Sequence, residues 1–175
     1  HTRPERSAMI RPLKTARFAA VACLAAGLTI ASLPISPALA DSTNLVQNPS
    51  FSSATTGWKV DTSVSTLGTT SVSSNPAALV RAKSSNATVA LNDATNTVRG
   101  GKAAVTYTAT ARVRSNQANL NGQLRVRESG TGKTVSHAST FYVTAANTWQ
   151  SVSLTFTTTQ ASDLDLNVLA WKVSP

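Results

Sequence analysis

Arginine recurs at alternate positions in two places, Arg112 with Arg114 and Arg125 with Arg127, each pair interleaved with apolar residues. Alternate residues of a strand share a face, so each pair projects two guanidinium groups to one side. The connection over residues 115–121 is short and predicts a hairpin, which would bring all four cations onto one face. Like charges on adjacent strands repel by a few tenths to ~1 kcal/mol for each directly opposite pair. Glu128 or Asp165 would offset this in part. So would an anionic ligand such as a uronate polysaccharide, whose carboxylates arginine binds bidentately. The other reading is a solvated face with salt-bridge partners. Trp171 shares its parity with Asp165 and Asn167, on the side away from the apolar residues of its run. A tryptophan so placed either stacks on the C–H face of a sugar ring while polar neighbours bind hydroxyls, or packs under another strand. Tyr142 is a second candidate, in a run whose parity is not decisive.

Other chemistries find little support. His137 is the only histidine after residue 1, and there is no Gly-x-Ser-x-Gly, so nucleophilic catalysis and metal hydrolysis both lack their residues. Asp163 and Asp165 would lie about 7 Å apart on one strand face. That distance suits a glycosidase pair, but neighbours on one strand rarely straddle a scissile bond. Gly132-Lys133-Thr134 resembles the end of a phosphate loop, yet Arg127 stands where the loop needs glycine, and a strand pattern follows instead of a helix. A hairpin turn is the expectation there. Nucleic-acid binding is disfavoured because few aromatics are interleaved with the arginines.

The elements that must carry these residues read as strands. Runs alternating with period two cover residues 58–60, 77–81, 87–91, 104–114, 123–127, 138–143, 151–157 and 164–170. Val105, Tyr107, Ala109, Ala111 and Val113 form one apolar face, Val152, Leu154 and Phe156 another, and Leu164, Leu166, Val168 and Ala170 a third. Turn signals separate the runs: Asn75-Pro76, Gly100-Gly101, Asn121-Gly122 and residues 130–132. Roughly 30% of residues 41–175 are Ser or Thr, and β-branched side chains dominate the periodic runs, which favours strands over helices. About nine strands in one domain of this size predict an all-β, two-layer antiparallel β-sandwich of jelly-roll type.

The N-terminal third reads differently. Residues 1–8 precede the first methionine and read as non-native or upstream sequence. From Met9, a basic stretch (Arg11, Lys14, Arg17) leads into an uncharged apolar run, and Ser36-Pro37-Ala38-Leu39-Ala40 ends it with small residues. Residues 9–40 thus read as a secretory signal cleaved after Ala40, giving an extracellular protein with no membrane anchor after cleavage. The sole cysteine, Cys23, leaves with the signal. The remaining domain, residues 41–175, holds eleven bases against six acids, so its formal charge is +5 rather than the +9 of the whole chain. With no disulfide, its stability rests on the core, helped by any bound ion.

Several stretches together resemble a known class of domain. Asn44-Leu45-Val46-x-Asn48-Pro49-x-Phe51 with Gly57-Trp58, the run from Tyr107 to Arg114, and the stretch from Asn147 to Phe156 are similar to carbohydrate-binding modules of families 4, 9 and 22. The resemblance spans nearly all of residues 41–175 and implies a galactose-binding-like jelly roll, with Trp58 and Trp149 at structural core positions. It also implies a structural calcium. Two departures stand out: Ser52 replaces the usual acid after the phenylalanine, and the chain stops at Val173-Ser174-Pro175, where a strand with paired aspartates should begin. The sequence therefore reads as a piece of a longer protein.

The reading that combines these signals is a secreted, non-catalytic module that binds a polysaccharide. Trp171 and Tyr142 would stack on sugar, and Arg112, Arg114, Arg125, Arg127, Asp165 and Asn167 would make polar contacts. It would be a monomer linked to a glycoside hydrolase or polysaccharide lyase. The alternative is a structural or adhesive cell-surface β-sandwich without a sugar site.

Overall fold

The computed structural model describes residues 8–12, 43–130 and 133–175. The apolar run of the signal, Cys23, and the cleavage site at Ala40 lie outside the described residues, as do Thr131 and Gly132 of the Gly-Lys-Thr turn. Among the described residues, eleven strands form two antiparallel sheets. They are β1 (Ala8–Pro12), β2 (Trp58–Lys59), β3 (Ser65–Val72), β4 (Asn75–Ala82), β5 (Ala87–Asp93), β6 (Val98–Gly101), β7 (Thr106–Ser115), β8 (Leu120–Ser129), β9 (Val135–Val143), β10 (Trp149–Thr157) and β11 (Ser162–Val173). One sheet has the order β10-β7-β1-β4-β3; the other runs β2-β5-β11-β8-β9, with β6 paired beside β5 on β11. The two-layer antiparallel sandwich is the architecture the alternation predicts.

The apolar faces read from the sequence meet between the layers. Val152, Leu154 and Phe156 of β10, Leu164, Leu166, Val168 and Ala170 of β11, and Ala111 and Val113 of β7 are all buried. Tyr107 and Ala109 are partly buried against the same core. Leu91, Leu124, Val80 and Val89 complete its centre. At ~25 cal/mol for each Å² of apolar surface buried, these side chains supply the main force holding the layers together.

The opening motif closes one end of this core. Phe51 is almost wholly buried and its ring lies 5.4 Å from that of Trp58, also buried. Asn48 organises the loop between them. Its Nδ2 donates to the carbonyls of Ala54 and Thr56, its Oδ1 accepts from Ser53 N, and its own carbonyl accepts from Trp58 Nε1. Asn48 also has φ of 47°, a left-handed conformation that asparagine tolerates better than most residues. The Asn-Pro-x-Phe pattern is thus a structural clasp.

Two strands carry no clear periodic signal. β3 is largely polar, with Gly68 near its middle, and β6 has only four residues, two of them glycine. β1 belongs to the segment that the sequence places before and at the start of the secretory signal. It pairs antiparallel with both β4 and β7, from Ala8 opposite Val80 and Ser115 to Ile10 opposite Ala78 and Val113. A strand position therefore exists between β4 and β7, in the middle of their sheet, that cleavage after Ala40 would vacate.

Candidate functional site

The hairpin expected between the two arginine runs is not formed. β7 pairs with β10 and β1 in one sheet, whereas β8 pairs with β11 and β9 in the other. Residues 116–119 cross between layers, so the four arginines divide over opposite outer faces. The reason lies in burial. β7 turns Ala111 and Val113 inward and β8 turns Leu120, Leu124 and Val126 inward, and two such files complete a core best when they face each other across it.

On the first outer face, Arg112 and Arg114 stand beside β10. The Arg112 guanidinium lies 5.2 Å from the centroid of the Trp149 ring, and Arg114 Nε donates to the Asn147 carbonyl at 2.7 Å. Trp149 is a correction to the core position that the resemblance implied. It is half-buried on the outward side of β10, because Val152, Leu154 and Phe156 fix the inward parity and Trp149 falls on the other. Hydroxyl pairs continue this face, Thr106 with Thr157 and Thr108 with Thr155, each at 2.9 Å.

The second outer face brings together the remaining candidates. Asn121 of β8 is the cross-strand partner of both Trp171 on β11 and Tyr142 on β9. The two aromatic residues therefore flank one asparagine, two interstrand spacings or about 9.6 Å apart. Phe141 and Val143 are buried, which settles the parity of β9 and turns Tyr142 outward, where it is 45% exposed. The sequence left this open because Ala138, Ser139 and Thr140 give no apolar signal. Trp171 sits where β11 slips register against β5, between Ala170 and Val173, with Lys172 at a φ of 56°. Such a bulge re-aims neighbouring side chains and is common beside binding sites. Trp171, Lys172, Tyr142, Thr140, Asn119 and Asn121 line an open cavity of about 650 Å³. Tyr142 Oη donates to Asn119 Oδ1 at 2.7 Å, which holds the ring over that cavity. The position between β4 and β7 lies in the other sheet, so Trp171 does not pack beneath the strand there.

Farther along the same face, Arg125 and Arg127 sit over Asn167 and Asp165. Arg125 Nε donates to Asn167 Oδ1 at 2.6 Å, and Arg127 Nε to Asp165 Oδ2 at 2.7 Å, with Arg127 Nη2 also on Asp165. Asn167 Nδ2 donates to Asp165 Oδ2 at 3.3 Å. Asn167 and Asp165 are buried, whereas an open polar face was expected of them. β11 is central in its sheet, and the side chains of its neighbours close over it. These two residues hold the arginines from below. Asp165 does offset the cationic face, but Glu128 does not. Glu128 points inward, wholly buried, and bonds to His137 Nε2 at 2.5 Å and to Thr159 and Gln160.

Asp93 lies beside Asp165 and is likewise buried. Its Oδ2 accepts from Thr97 N and Oγ1, while Oδ1 has no donor. Burial, together with the Asp165 carboxyl, pushes Asp93 up to about 6. Burial also raises Asp165, but its bonds to Asp93 and Arg127 outweigh this and hold it below the ordinary carboxylate value. An orphan acceptor against a second carboxylate marks a proton shared between the two below about pH 6. Asp163 is occupied otherwise, accepting from Gly100 N at 2.7 Å and Asn96 Nδ2 at 2.9 Å, so Asp163 and Asp165 do not form a facing acid pair. Among the described residues no group of three His, Cys, Asp or Glu side chains comes together. Glu128, Asp163 and Asp165 are engaged by histidine, amide or arginine donors, and among the described residues no third carboxylate joins Asp93 and Asp165, so this donor set does not fit a calcium cage.

Comparison with known proteins decides the class. The family model CBM_4_9, "Carbohydrate binding domain", matches residues 43–174. The chain belongs to this family of carbohydrate-binding domains. The module is thus non-catalytic over the matched residues. Solved structures share its fold. The "Family 16 Carbohydrate Binding Module-2" aligns over 75% of this chain and 90% of its own, at 14% identity and a TM-score of 0.52. The enzymatically active domain of tailspike protein 4 of bacteriophage CBA120 aligns over 75% of this chain at 12% identity and a TM-score of 0.56. The chain spans only 20% of that tailspike chain. No curated protein matches the chain.

Proposed function

We propose that this module binds a polysaccharide on the outward face of β8, β9 and β11, with Trp171 and Tyr142 as its stacking residues. The observation that carries the reading is the pair of aromatic side chains flanking Asn121 over one open cavity. A pyranose ring lying between them meets a π face on either side, while Asn119, Asn121 and Thr140 offer donors and acceptors to its hydroxyls. The module is exported, on the strength of the apolar segment and small-residue cleavage site ahead of Asp41. Its service is to hold an attached glycoside hydrolase or polysaccharide lyase at its substrate, raising the effective concentration of the polymer.

The test is affinity electrophoresis and pull-down on a panel of polysaccharides, with the wild type, Trp171→Ala and Tyr142→Ala. Retention of the wild type, weakened by either substitution, supports this face as the site. Retention unchanged in both variants moves the site to the Arg112–Trp149 face. No retention on any polymer favours a structural or adhesive sandwich.

A further inference from the structure

We infer that the ligand of this face carries carboxylates, and that Arg125 and Arg127 form a uronate subsite in line with Trp171 and Tyr142. This rests on the proposed sugar-binding face and names its ligand class. Three observations converge on it.

The first is charge. Arg125 and Arg127 sit two residues apart on the outward file of β8, and the groups beneath them are Asn167, Asp165 and Asp93. Asn167 is neutral. The two carboxyls share a proton below about pH 6 and approach two negative charges above it, against the two guanidinium groups. Lys59 adds a third cation near Asp165. Burial and the Arg127 charge both act against the Arg125 cation, which only Asp165 favours. The patch therefore keeps an excess of positive charge that an incoming anion would relieve.

The second is geometry. Arg125 is held through Nε by the amide of a wholly buried asparagine. A guanidinium fixed at Nε presents its two Nη groups as parallel donors, the arrangement that matches a carboxylate. Because Asn167 restrains the side chain beforehand, less rotamer freedom is lost on binding. On the other face Arg112 lies over Trp149, and Arg114, although also held through Nε, is anchored on the carbonyl of exposed Asn147 instead of a buried side chain.

The third is alignment. Asn121, Gln123, Arg125 and Arg127 form one outward file, with Arg125 about 13.6 Å from Asn121 along the strand. A chain lying along β8 with one ring at the aromatic pair reaches the arginines a few sugars later.

The test compares polygalacturonate, the same polymer after carboxyl reduction, and dextran sulfate, by affinity electrophoresis at low and moderate salt. The proteins are the wild type, Arg125→Gln, Arg125→Lys and Arg127→Gln, each checked for folding by circular dichroism. The expected result is at least about tenfold tighter binding of the acidic polymer than of its reduced form. That advantage falls in all three variants, and Arg125→Lys shows that the fork matters beyond the charge. Trp171-dependent binding of the reduced polymer with no preference for the acidic one overturns this inference alone. Dextran sulfate bound as tightly as polygalacturonate, and weakened to the same extent by each substitution, reduces the effect to bulk charge and also overturns it. Retention of no polymer overturns both this inference and the sugar-binding face.

Discussion

The buried carboxyl of Asp93 lies against that of Asp165, and only Asp165 has a cation, Arg127, to balance it. Its value of about 6 is raised above the ordinary 3.8, so its contribution to stability is fully present below pH 3.8. That contribution is lost as pH rises through 6. Asp93→Asn keeps an acceptor for Thr97 and places an amide donor toward Asp165, mimicking the protonated form at every pH. The variant should be more stable than the wild type by about 1–3 kcal/mol at pH 7 and nearly equal to it at pH 4. Urea denaturation at the two pH values measures this, and an unchanged difference between them would show that Asp93 titrates as an ordinary carboxyl.

Glu128 has the opposite sign. Burial raises it, but bonds from His137, from the backbone and hydroxyl of Thr159, and from Gln160 N outweigh this and hold it below the ordinary value of 4.5. Its contribution is present above pH 4.5 and is lost as pH falls through the lowered value. Because it binds residues 159 and 160, this carboxylate fixes the turn between β10 and β11. Glu128→Gln turns an amide donor toward backbone N–H groups and should cost about 1.5–3 kcal/mol at pH 7. The cost should shrink in strong acid, where the wild-type carboxyl is also protonated. A constant cost from pH 7 to pH 3 would assign the loss to shape instead of charge.

Fold and site were legible to different degrees. Val152, Leu154 and Phe156, or Leu164 to Ala170, announce a strand and its inner face because burial imposes period two on the chain itself. Which strands become neighbours is decided by how whole faces cover one another, and a short connection misleads when it crosses between layers, as residues 116–119 do. The same limit hid the sources of order at the arginines. Asp93 lies seventy-two residues before Asp165 in sequence, and nothing local marks either as buried. Trp171 was identifiable as an outward aromatic, the parity of Tyr142 was open until Phe141 and Val143 proved buried, and their common partner Asn121 emerges only from the register. Trp149 teaches the converse, since its parity against Phe156 placed it outside the core and the resemblance to a family position pointed the wrong way.

Gly122 tests how the floor of the cavity is built. It faces Phe141 across the strands, and a Cβ there would overlap the Phe141 ring and the Leu169 carbonyl oxygen. Backbone and a buried ring cannot both yield, so Gly122→Ala should destabilise the domain by about 1–3 kcal/mol or more. Any folded protein should also show weakened sugar retention, because Phe141 and Tyr142 are adjacent on β9. A thermal melt within a degree of the wild type would show that the ring has room to turn.

Removing residues 1–40 probes the position held by β1. Ladders run antiparallel from β1 to both β4 and β7, so these two strands are parallel to each other and separated by two interstrand spacings, about 9.6 Å. Without β1 they face each other across a gap, with Ala78, Val80, Ala111 and Val113 of the core beneath it. Unpaired ladder groups over an apolar core invite a strand from outside. The protein comprising residues 41–175 should therefore unfold at lower urea than the 1–175 chain and self-associate in a concentration-dependent way. A synthetic peptide of residues 8–12 with its flanks should reverse both effects. Sedimentation velocity and denaturation with and without the peptide measure them. A monomer as stable as the longer chain and indifferent to the peptide would mean that β4 and β7 close directly on one another.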